Sequence, residues 1–67
     1  MFKKYDGKSP FQKGDLVKIQ ECDYPGEYML GIFIEINDSE GCPNWATFYI
    51  DLEKKYLFLY DYMFEII

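Results

Sequence analysis

The chain has 67 residues, with 14 aromatics and a net charge of -5 from seven Lys, no Arg and no His against 12 acids. Such a length holds one core and no second domain, and a hydrophobic content of 49% excludes a disordered coil. Without His the common nucleophile–base pairs are missing, and without Arg so are the guanidinium contacts that read phosphate and base edges. An enzyme and a direct nucleic-acid binder therefore rank below an interaction domain.

The charge is uneven. Residues 1–20 carry five Lys and two Asp, a net +3, whereas residues 21–53 carry eight acids and no base. The acidic middle suits a basic partner or serves solubility, and the early Lys make at most a weak basic patch. No apolar run follows Met1-Phe2-Lys3-Lys4-Tyr5-Asp6, so no signal peptide is expected. No stretch nears the roughly 18 apolar residues of a membrane span, so the expected location is cytoplasmic. Cys22 and Cys42 have no His or second cysteine pair beside them, so neither a metal nor a cofactor is expected. In a reducing compartment both thiols stay free.

Residues 1–10 read as an N-terminal arm tacked down by Phe2 and Tyr5, and residues 11–67 as the single domain. Gly14-Asp15 is turn chemistry feeding a strand near 15–20, with Val17 and Ile19 inward and Lys18 outward. A long polar loop follows, in which Glu21, Asp23 and Glu27 surround Tyr24 and Tyr28, and Pro25-Gly26 signals a type II turn. The strand near 29–37 places Ile32, Ile34 and Ile36 on one face, assigned to the core, with Gly31, Phe33 and Glu35 outward. Gly31 marks a bend or a close backbone approach. Residues 37–44 form a loop, in which the acid pair Asp38 and Glu40 is read as solvated carboxylates.

Strands near 44–51 and 55–60 then form a hairpin rich in aromatic and β-branched residues. Ala46, Phe48 and Ile50 share the inner face with Leu57 and Leu59. Trp45, Thr47 and Tyr49 share the outer one with Tyr56, Phe58 and Tyr60. Asp51 is expected opposite Tyr56 across a four-residue turn. A small core cannot hold all of these outer rings, so Tyr49, Tyr56 and Phe58 are a candidate self-association face. A one-turn helical link near 60–63 leads to a last strand near 64–67. No stretch keeps a 3.6-residue apolar period, so no α-helix is expected.

The runs Lys13-Gly14-Asp15-Leu16-Val17-Lys18-Ile19, Gly31-Ile32-Phe33-Ile34-Glu35-Ile36, Trp45-Ala46 and Phe64-Glu65-Ile66-Ile67 resemble small SH3-like barrel proteins of tailed, often marine, bacteriophages. The resemblance covers about residues 11–67 and implies an all-β, five-stranded SH3-like barrel. It also implies an accessory protein acting in the host cytoplasm, and no catalytic residue. In peptide-binding barrels of this kind, rings from the first loop, the third strand and the link form a groove with acids beside it. The matching positions are Tyr24, Tyr28, Trp45, Tyr60 and Tyr62, with Glu21, Asp23 and Glu27. Such a groove takes a Pro-rich or basic extended peptide. The usual Ala-Leu-Tyr-Asp-Tyr signature is absent from the first loop, and no Pro precedes the link tyrosines. On this plan the Cys22 and Cys42 loops share one side, which makes a disulfide geometrically possible. The expected function is a non-enzymatic protein-interaction module that binds a partner or itself. A nucleic-acid-associated barrel with bases stacked on Tyr and Trp is the alternative. No small-molecule substrate is implied.

Overall fold

Alternation along 45–58 builds the hairpin. In the computed structural model, which describes residues 1–24, 26–37 and 44–67, β4 (Trp45–Ile50) pairs antiparallel with β5 (Glu53–Phe58). Ala46, Phe48, Ile50 and Leu57 are buried on the inner face, as the period of two requires, and Leu59 follows them into the core. The register is a correction. Ile50 faces Glu53 across a two-residue turn, rather than Asp51 facing Tyr56. Asp51 and Leu52 both have positive φ, 52° and 67°, the sign that two-residue I′ turns need at both central positions. The slip is four residues, an even number, so every side chain keeps its expected face.

The remaining strands are β1 (Lys3–Lys4), β2 (Leu16–Glu21), β3 (Met29–Asn37) and β6 (Tyr62–Ile66), with a 3-10 turn at Leu59–Asp61 before β6. All pair antiparallel in one sheet of order β1-β6-β2-β3-β4-β5. The expectation of five strands closed into a barrel is corrected. There are six strands among the described residues, and the sheet is open, with β1 and β5 as its edges. The sixth comes from the arm: Lys3 and Lys4 lie opposite Phe64 and Met63. Half-buried Phe2 packs near Tyr28 and half-buried Tyr5 against Tyr60, so the arm's two rings hold it down. At the other edge, Glu53, Lys54 and Lys55 place charge where a bare strand would invite pairing.

β3 contains a second correction. Ile32 faces Tyr49 and Phe33 faces Phe48, but Glu35 faces Thr47, so the ladder skips Ile34. This bulge changes the phase of the strand. Before it, Gly31 and Phe33 point inward and Ile32 is 41% exposed, the reverse of the expected assignment; beyond it, Ile36 packs against the core. The reason is volume. The Phe33 ring fills the interior between Phe11 and Phe48, with ring centres 5.1 and 5.5 Å away. Gly31 is needed for close approach, since a Cβ there would lie 2.9 Å from Ile19 Cδ1 and 3.0 Å from Ile50 Cγ1.

Phe11 completes the core from outside the strands. It stacks on Phe33 and meets Phe48 and Phe64 edge-on, at 5.6 and 5.0 Å. The turn behind it is closed twice: the Asp15 N–H donates to the Gln12 carbonyl, and the Gln12 N–H donates to Asp15 Oδ2. Gly14 sits in this turn at φ 93°, a region that other residues rarely adopt. Phe48 and Phe64 stack at 5.9 Å although β4 and β6 are three places apart. In a flat sheet they would be roughly 14 Å apart. The sheet therefore curls around one aromatic core.

Candidate functional site

The first loop joins β2 to β3. Its backbone is anchored by the Tyr24 N–H donating to the Glu21 carbonyl and by the Cys22 N–H donating to the Asp61 carbonyl, 3.1 and 3.0 Å. The second bond ties this loop to the 3-10 turn. Glu21, Tyr24, Glu27 and Tyr28, with Ile19 and Met29 at the base, line a shallow cavity of about 210 Å³. Four of the eight expected partner-binding residues thus meet in one concavity. Tyr28 is flanked by Phe2 and by Lys18, whose ammonium lies 5.1 Å from the ring centre. That contact is a cation–π pair within the chain. Lys18 also bridges Glu65, its partner across the β2–β6 ladder, at 3.4 Å.

Tyr62 lies opposite Glu21 in the same ladder. Burial first, then the nearby Glu21 and Asp61 carboxylates, push its phenol above the ordinary value. Asp23 is exposed on the loop and does not line the cavity. Trp45 and Tyr60 belong to a different surface. Trp45 faces Phe58 across the hairpin, and their rings sit 5.4 Å apart. Phe58 then meets Tyr60 at 5.8 Å, and Tyr60 meets Tyr5 edge-on at 5.0 Å. The expected single groove is therefore two adjoining features, an acidic tyrosine cavity and a run of four rings.

The proposed self-association residues are also divided. Tyr49 and Tyr56 are exposed, Tyr56 at 62%, while Phe58 is half-buried between Trp45 and Tyr60. The sequence reading missed the apolar neighbours of Tyr49. Leu16, Ile32 and Tyr49 stand in one cross-strand row over β2, β3 and β4, all exposed, with exposed Leu30 beside them. The available signal was size: at the start of β3, the bulkiest residue, Phe33, takes the inner position and leaves Ile32 outside.

Cys22 is free and exposed, and Cys42 lies outside the described residues, as do Pro25, Asp38 and Glu40. Among the described residues no helix is long and apolar enough to cross a membrane. No family model matches the chain, and neither a curated protein nor a solved structure matches it.

Proposed function

We propose that this chain is a non-enzymatic protein-interaction module whose acidic tyrosine cavity takes an extended basic or Pro-rich peptide. The observation that carries this is the concavity itself. Glu21 and Glu27 stand beside the rings of Tyr24 and Tyr28, and among the described residues neither acid has an ion-pair partner. A cation entering there pairs with a carboxylate and packs on a ring, as Lys18 already does on Tyr28. The SH3-like plan is part of this reading. It is supported by the strand succession β6-β2-β3-β4-β5 and by the 3-10 turn before the last strand. A phage accessory protein is the setting that the plan implies. The nucleic-acid alternative has less support, because the loop that faces the ligand belongs to the stretch with eight acids and no base.

Titration of the 15N-labelled chain with a Lys- and Pro-containing decapeptide tests the proposal. Saturable shifts are expected at Glu21, Tyr24, Glu27 and Tyr28, weakening with added salt. Glu21→Gln with Glu27→Gln should weaken binding about tenfold, the loss expected for two charge-assisted contacts. Shifts confined to other surfaces, or binding indifferent to both substitutions, would sink the idea.

A further inference from the structure

The arm returns over β6 and encloses a second, larger cleft of about 580 Å³, bounded by arm residues and by Phe64, Glu65 and Ile66. That volume falls in the range of small-ligand sites, roughly 300–1,000 Å³. Lys3, Lys4 and Lys8 line it, and among the described residues none of the three has an ion-pair partner. Of the two carboxylates on its walls, Glu65 is paired with cations, whereas Asp6 accepts a backbone N–H and keeps its charge, leaving three lysines against one carboxylate. Glu65 is bonded to the Met1 ammonium and to Lys18, and Asp6 Oδ1 accepts the Lys8 N–H at 3.0 Å. The hydrogen bond from Met1, helped by Lys18, holds the Glu65 carboxyl below its ordinary value, so it stays ionised and paired. The rest of the lining includes apolar Pro10, Phe64 and Ile66.

We infer that this cleft binds a small amphipathic anion, with a phosphate or carboxylate head at the lysines that line it and an apolar body against exposed Pro10 and Ile66. Size follows from charge. The molecule is 34 Å along its longest axis, and its net charge is -5. Charge reaches only about 8 Å at physiological salt, so a small anion in the cleft experiences the three lysines and Asp6, with Glu65 offset by Met1 and Lys18. A nucleic-acid polymer would extend past the cleft over a chain whose net charge is -5. None of these residues takes part in the peptide cavity, so this site stands or falls separately.

The test is an amide-resolved NMR titration of the full chain with phenyl phosphate, with phenylacetate, and with neutral 2-phenylethanol. Saturable shifts are expected at Lys3, Lys4, Lys8, Phe64 and Ile66 with at least one anion and not with the alcohol. The tighter of the two anions identifies the head group. The triple variant Lys3→Gln, Lys4→Gln, Lys8→Gln should weaken binding about tenfold or more. Lys8→Gln alone, outside β1, should weaken it measurably while the β1–β6 resonances stay in place. No saturable shift with either anion up to about 10 mM, equal shifts with the alcohol, or unchanged binding by Lys8→Gln would each overturn the inference.

Discussion

Two sets of four rings share almost the same spacing and have different surroundings. Inside, Phe11, Phe33, Phe48 and Phe64 meet at centre distances of 5.0–5.9 Å. Outside, Trp45, Phe58, Tyr60 and Tyr5 meet at 5.0–5.8 Å. Every inner ring is buried, whereas Trp45 and Tyr60 are exposed and Phe58 and Tyr5 half-buried. Ring contact adds only about 0.5–1.5 kcal/mol beyond area burial, so the water removed decides which set holds the fold. The inner set is the core. The outer set is surface that retains much of its contact capacity.

The strongest way to break this comparison is to delete one ring from each set. Phe48→Ala removes a fully buried ring, and the loss should be about 3–5 kcal/mol. A domain this small has only a few kcal/mol in hand, so the variant should be largely unfolded by circular dichroism. Trp45, still 37% exposed, has less area to lose, so Trp45→Ala should cost about 1–2 kcal/mol and keep a cooperative urea transition. Comparable losses would mean that the outer run is structural.

Overpacking probes the interior from the other direction. Gly31→Val adds volume where Ile19 and Ile50 nearly touch the backbone, and should cost about 1–3 kcal/mol in urea unfolding. A neutral result would show that the core tolerates expansion there.

The exposed hairpin tip should respond with the opposite sign. Leu52 is 84% exposed and held at φ 67°, which a residue with a Cβ adopts at a cost. Leu52→Gly relieves it and should stabilise the fold by about 1 kcal/mol, after allowing for glycine's greater freedom when unfolded.

The smallest effect concerns alkaline pH. The folded state holds the Tyr62 phenol above its ordinary value, so it binds that proton more tightly than the unfolded chain does. The stability tied to this is fully present below the unfolded value, near 10, and is lost as pH rises through the folded one. Urea midpoints compared at about pH 9 and about pH 11 should fall less for Tyr62→Phe than for the parent. An equal fall would show that Tyr62 does not carry the alkaline loss.

The sites were readable unevenly. Glu21, Tyr24, Glu27 and Tyr28 could be grouped from sequence because the end of β2 and the loop after it hold all four, and proximity along the chain made them neighbours. The separation of Trp45 and Tyr60 from that group could not, since it depends on which strands adjoin in the curled sheet. The basic cleft was equally hidden. Lysines spread along an arm become a site only when the arm returns against β6.

Strand content, the absence of a helical period and the inner face of β4 and β5 were decided by local alternation, which needs no knowledge of the rest of the molecule. The phase of β3, the register across Asp51-Leu52, the placing of Phe11 in the core and the sixth strand were decided by tertiary structure. Each answers to volume or edge pairing across the sheet: Phe33 outbids Ile32 for interior space, and Lys3-Lys4 finds the open side of β6. Such competition between distant segments leaves no mark on the order of residues within any one of them.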